Sequence, residues 1–429
     1  MKRTIADRSR CLRWASLIAL ALLASSNNGS KFGLVVAQES TTHIVEVEAG
    51  ERDRDTGLIE YRLPDDAADL DVAAVRRVSD GTLFPVQRDE NQAGTIVWRL
   101  KRPLMSGERR QFELITGDST NNIEPQPDES LQVEAVRDHG KIILRSSEKT
   151  ILAYHEATVS PPEGSDPLYA RSGFIHPLKT PGGAVLTDDF PPDHLHQHGI
   201  FRAWVKTQFS DKAVDFWNQK KGQGTVRHRD TAWLTSGPVF AAFQVQLEHI
   251  AKDGDRDVVV LNETWTVRAW PSAESFVIDI ESRQRAASSK PLLIQEYHYG
   301  GFGIRGHREW TAENFDFVTS NGDDRLVGNH TRPNWVMMPG RVEDREVYAV
   351  AMGHPSNFRH PQPVRLHPTM PYFCFAPMVL GNFSIDDQRE LVGRIRLFTG
   401  DGRPASEVID GWFEDYQTPL KAKLVRAEP

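Results

Sequence analysis

The stretch DHLHQHGIFRAW, from Asp193 to Trp204, puts imidazoles at every second residue: His194, His196 and His198. A β-strand turns successive side chains to opposite faces, so this spacing predicts three imidazoles along one wall. Carried onward, the same phase adds Arg202 and Trp204, a guanidinium with fixed donors and an indole plane. Such a wall suits binding of, and proton transfer on, a sugar or another polar ring. Gly199 is the weak point of the pattern, because a bulge there would flip the phase after the histidines. Imidazoles at i and i+2 can also chelate one ion, so His194 and His196 are the candidate ligands of a divalent metal. No glutamate follows closely to complete such a site, the next acid being Asp211. Direct acid/base or hydrogen-bonding roles are therefore the first reading, and no cofactor is required. The bland reading is a solvent-facing strand whose histidines do nothing.

Three further segments carry polar chemistry. In LLIQEYHYGGFGIRG, Glu296 and His298 stand two apart and could form an acid/base pair, with Arg305 following. The glycines Gly301, Gly303 and Gly306 spell GxGxxG, but no apolar helical stripe follows, so the match to a dinucleotide loop is weak and a turn or a close ligand approach is the first reading. GHPSNFRHP packs His354, Asn357, Arg359 and His360 into a proline-flanked loop. DFWNQKKGQGTVRH reads as a polar loop offering Trp217 and His228 as ligand contacts. Neither a G-x-S-x-G elbow nor a P-loop is present.

Strands must position these residues. The 26 prolines and 31 glycines spread over 429 residues imply many turns and an all-β protein. Residues 40–118 contain five or more short alternating runs, the pattern of a small β-sandwich, and 119–130 read as a linker. From 131 to 425 strand signals continue without a long amphipathic helix or fixed repeat, which predicts one large antiparallel sandwich or super-sandwich. Within VVVLNETWTVRAW, Val259, Leu261, Trp265 and Val267 share a phase that only Glu263 interrupts. Ahead of these domains, residues 1–37 read as a signal peptide. Five basic residues precede the apolar run WASLIALALLA, which is shorter than the roughly 20 residues a membrane span needs. Cleavage after Ala24 or Ala37 would send the chain to the periplasm or outside the cell. Loss of residues 1–37 moves the net charge from −8 to −13, and an acidic chain without a basic patch speaks against nucleic acid. Cys374 would then be the sole cysteine, leaving no disulfide.

Together, DHLHQHGIFRAW, DFWN, YGGFGIR, AENFDFVTSNG and HPSNFRHPQPVRLHPTMPY resemble the PmoA-like family of exported bacterial proteins, a domain of unknown function. That family's histidine block commonly runs Asp-His-Pro-His-His-Arg-Gly. Asp193, His194, His196 and Gly199 match it, while Leu195, Gln197 and His198 depart. The resemblance implies a galactose mutarotase-like β-super-sandwich and points to His194 and His196 as the shared pair. The methane oxygenase function in the family label does not suit a chain without a series of apolar spans. The sequence thus predicts an exported carbohydrate-active protein, an enzyme hydrolysing, eliminating or epimerising a glycan through His194, His196, Glu296 and His298. His198, Arg202, Trp204, Trp217, His228, Arg305 and the 354–360 loop would bind substrate. A non-catalytic glycan-binding protein and a metal-dependent enzyme are the alternatives.

Overall fold

The long alternating runs pair into a back sheet of eight antiparallel strands. Its order is Gly224–Thr235, Ala241–Asp253, Arg256–Pro271, Ser275–Ala286, Leu391–Asp401, Arg345–Gly353, Trp335–Val342 and Val318–Thr319. This is a computed structural model, and it describes residues 43–426 except 55–56, 101, 117–131, 255 and 273. The proposed signal peptide and linker lie outside the described residues. A front sheet of eight antiparallel strands packs over the back one. It runs Val364–Leu366, Tyr372–Phe375, Gly301–Arg305, Ile200–Ala203, Ile175–Leu178, Lys149–His155, Lys141–Ser146 and Val133–Asp138. The protein is all-β, with two sheets stacked as a large sandwich.

Period-two patterning explains the core between them. Leu247, Leu261, Trp265, Val267, Ile278 and Leu397 from the back sheet meet Tyr154, Ile200, Phe302, Ile304 and Phe373 from the front, all buried. Trp265 stacks on Phe302 with ring centroids 5.9 Å apart. Each such side chain contributes roughly 1.5–3 kcal/mol when taken out of water. Glu263, the residue that breaks the apolar phase, is fully buried here as well.

Residues 43–116 form two small sheets around Val45, Ile59, Trp98 and Phe112. The chain's last strand, Lys421–Arg426, pairs with His43–Glu48 and completes the first of them. The C-terminal end therefore belongs with the small sheets, not with the large sandwich, where residues 131–425 were expected to stay. A reading of local runs has no access to such a pairing. Glu60 and Asp89 hold Arg268 of the back sheet at 2.6 and 3.1 Å, and Thr42–Pro429 form one compact unit.

One amphipathic helix, Ser406–Gln417, departs from the sequence expectation. At three turns it is short, and Ile409, Phe413 and Tyr416 recur at i, i+4 and i+7 to bury one face. Trp412 stacks on Phe398 at 4.3 Å, and Tyr416 lies under Arg396. Among the described residues no helix is long and apolar enough to cross a membrane.

Candidate functional site

The histidine segment is not a strand. After Thr187 the chain folds back on itself, with Asp189 bridged to His198, and the tip between them is a pair of tight turns. His194 N–H donates to Pro191 O and Gln197 N–H to His194 O, each at 2.9 Å. Pro191 and Pro192 explain this, because they preset turn dihedrals and cannot donate to a ladder. The three imidazoles consequently do not share one wall. His194 and His196 sit half-buried at the tip with rings 5.4 Å apart, and His198 is wholly buried at its base.

Regular pairing begins only at Ile200, and Gly199 changes the phase as it enters. Its φ is +27°, and a Cβ there would lie 2.1 Å from Ile175 O. Arg202 and Trp204 accordingly turn inward. Arg202 bonds to Ser282 Oγ, and Trp204 Nε1 donates to Gln284 Oε1 at 2.9 Å. Both belong to a buried network centred on Glu263, which accepts from His249 Nε2 and Trp265 Nε1, each at 2.6 Å, and from Ser282 Oγ. Burial alone would raise the Glu263 carboxyl, yet the hydrogen bonds from His249 and Ser282 and the nearby Arg202 guanidinium hold it at about 2. The predicted ligand contacts at 202 and 204 are therefore parts of the core.

Facing away from the back sheet, the front sheet presents a different set. His155 follows the inward Tyr154 and stacks on Phe174 at 4.4 Å, its Nε2–H donating to His176 O at 2.8 Å. The His176 ring bonds Thr187 Oγ1 through Nδ1 at 3.0 Å. Asp189 Oδ1 lies 2.6 Å from His198 Nδ1. His198 is held uncharged, first by burial and then by the nearby Arg171, so its Nδ1–H donates to the carboxylate. Burial also pushes the Asp189 carboxyl up to about 6. The same desolvation holds His155 and His176 at about 4 and His196 at about 3. The result is a carboxyl that titrates near neutrality, set among imidazoles that do not.

Arg305 lies on this outward face too. Its guanidinium grips the Asp193 carboxylate at 3.0 Å and Gln197 Oε1 at 2.9 Å, which fixes the tip on the sheet. His367 lies beyond it, its ring 6.5 Å from His194 and its Nδ1 accepting from Met370 N at 3.1 Å. Trp217 is buried beneath the face, packed on Phe201 at 4.5 Å and on Tyr299 at 5.7 Å, so it supports the site without offering a stacking surface. Tyr297, His298 and Tyr299 form an aromatic shelf on the rim, with rings 4.2 to 5.1 Å apart. Arg365 acts on both His298 and His367 and so links shelf and tip.

The remaining candidates lie elsewhere. The exposed Glu296 makes its hydrogen bonds through its backbone, to Asn382 Oδ1 and from Lys206 Nζ, and no contact ties its carboxylate to a histidine among the described residues. Its expected pairing with His298 fails because the strand stops at Ile294 and period-two alternation no longer applies. His228 bonds Tyr154 Oη at 3.1 Å, on the inner side of the front sheet. The 354–360 loop is a structural clamp. Asn357 bonds the backbone N and O of Arg394, each at 2.7 Å, while Arg359 caps the carbonyls of Pro377, Gly381 and Asn382. His354 and His360 pack on Tyr416 and Phe413 of the helix. His155, His176, Asp189, His367 and Arg171 were missed by sequence reasoning. Of these, only His367 stood inside a quoted motif. Among the described residues no group of three His, Cys, Asp or Glu is arranged to hold a metal ion.

A family model described as a family of unknown function, DUF6807, matches residues 141–414. The chain belongs to DUF6807. The match spans both large sheets except the strand Val133–Asp138, and nothing in it refers to PmoA, so the finer resemblance is not carried by it. No curated protein matches this DUF6807 chain. Among solved structures it is similar to a galactose mutarotase-like protein from Lactobacillus casei, at 7% identity and TM-score 0.30 over 62% of this chain and 99% of that one. A galactose mutarotase related enzyme from Lactobacillus acidophilus gives 8% identity and TM-score 0.29 over 63% and 97%. The GH36 α-galactosidase AgaA from Geobacillus stearothermophilus gives 9% and 0.30 over 63% of this chain and 40% of that one. The fold class itself rests on the strand order described above.

Proposed function

We propose that this DUF6807 protein is an exported carbohydrate-active enzyme that moves protons on a hydroxyl-rich ring held against the outward face of the front sheet. The observation that carries this reading is Asp189: a carboxyl raised to about 6, oriented by His198 and surrounded by uncharged imidazoles. A group near neutrality that is fixed by a hydrogen bond is suited to general base work. His196 and His367 supply neutral hydrogen-bond partners, and the Tyr297–Tyr299 shelf supplies faces for a sugar ring. The test is incubation with plant and algal polysaccharides, followed by product analysis. Turnover should rise as pH increases through about 6, and Asp189→Asn should lower kcat by about 10²- to 10⁴-fold. Undiminished turnover by Asp189→Asn removes the assignment.

A second reading, a glycan-binding protein without turnover, is favoured by one observation. The imidazoles His155, His176, His196 and His367 are held far below neutrality and are better hydrogen-bond partners than proton carriers. Calorimetric binding of a saccharide with no product over days would select it.

A further inference from the structure

The charges around the histidine tip do not balance. Arg305 is paired with Asp193 and Arg308 with Asp188 at 2.8 Å, while Asp189 accepts from the uncharged His198 and so keeps one negative charge at the base of the tip. Against it stand two guanidinia that bond no acid among the described residues. Arg171 is 1% exposed, lies over the Phe201 ring at 5.2 Å, and has no hydrogen-bond partner for any of its three nitrogens among the described residues. Among the described residues Arg365 donates only to neutral oxygens, Asn329 Oδ1 at 3.1 Å and Leu366 O at 3.3 Å. A buried guanidinium without partners is costly, and in a stable fold an opposite charge should offset it. Glu263 and Asp189 attract Arg171 at a distance, but neither bonds it.

A second observation points the same way. The whole chain is acidic, at −8, yet His196, His367 and His298 feel net positive neighbours. Arg171 and Arg305 act on His196, Arg365 and Arg305 on His367, and Arg365 on His298. An acidic protein that gathers uncompensated guanidinia at one half-exposed spot has built an anion-selective field there.

Resting on the carbohydrate reading above, we propose that the ligand of this site is an acidic saccharide, whose carboxylate or sulfate group sits between His196 and His367. Arg365 is its direct partner, and Arg171 is the buried counter-charge behind the tip. Carboxylate and sulfate share the planar or near-planar oxygen pairs that guanidinium recognises, and neither is distinguished from the other by the charges alone.

The experiment is calorimetric titration of the protein with three probes: oligogalacturonate, a sulfated galactan oligosaccharide and a neutral galacto-oligosaccharide. One or both acidic probes should bind at least tenfold more tightly than the neutral one, and which one does so names the group. The preference should shrink as salt rises from 50 to 500 mM. Arg365→Gln should reduce it at least fivefold, and Arg171→Gln should do the same where the variant keeps the wild-type circular dichroism spectrum. Arg365 makes no buried ion pair among the described residues, so its variant carries the test if Arg171→Gln fails to fold. Equal binding of neutral and acidic probes, or a preference untouched by Arg365→Gln, overturns the charge assignment and leaves the carbohydrate reading standing. Binding of none of the three overturns both.

Discussion

Asp189 and Glu296 show how little the identity of a carboxylate decides and how much its surroundings do. Glu296 stands in an acid/base spacing with His298, yet it is exposed and its carboxylate meets no histidine, so Glu296→Gln should leave turnover within about twofold of wild type. Asp189 has no motif around it, and the fold alone brings His155, His176 and His198 to it. His196→Ala removes a half-buried imidazole that makes no hydrogen bond within the protein among the described residues. It should raise KM or Kd by about tenfold or more while thermal stability stays within a few degrees. An unfolded or fully active His196→Ala would remove that residue from ligand contact. At this scale the sequence disclosed His194, His196 and Arg305 as neighbours. His155 and His176 were out of reach because each is a lone histidine in its strand, and only tertiary pairing gives it partners.

The element that matters most is the turn-rich loop from Thr187 to Gly199. Alternating histidines suggested a strand, but Pro191 and Pro192 sit just ahead of them and favour turns, so local turn chemistry overrode periodicity. The sequence carried a warning at Gly199, and the structure realises it as a change of phase that sends Arg202 and Trp204 into the core. Gly199→Ala should be severely destabilising, by about 2–4 kcal/mol, since its Cβ would collide with Ile175 O at a positive φ. Urea unfolding measures this, and a loss below 0.5 kcal/mol would mean the loop relaxes freely. The 354–360 loop illustrates the opposite error, a polar segment whose chemistry is spent on the fold. Asn357→Ala should cost roughly 1–3 kcal/mol through the two Arg394 backbone groups it leaves unpaired, with ligand affinity unchanged.

For the whole molecule, the stacked sheets were legible because long strands announce themselves by period and length. The pairing of Lys421–Arg426 with His43–Glu48 was not, since it joins strands from opposite ends of the described residues. The fold's electrostatics also predict acid lability. His155, His176 and His367 are held at about 4 and His196 at about 3, below the unfolded value near 6.5. The unfolded chain therefore takes up protons that the native state refuses, and stability falls as pH drops from about 6.5 towards 4. Glu263, held at about 2, adds a further loss below about 4.5. Asp189, raised to about 6, works in the opposite sense between about 4 and 6, one group against four. Calorimetric melting between pH 7.5 and 4.5 should show a steady fall in Tm, and a flat profile would contradict the burial of these imidazoles. The most direct test of the central claim is a crystal structure of the protein soaked with a saccharide that binds it. The account predicts ligand density against His194, His196 and His367, within hydrogen-bond reach of the Asp189 end of the tip. Density confined to the crevice of about 210 Å³ lined by His354, Arg394 and Tyr416, with the histidine tip bare, would contradict it.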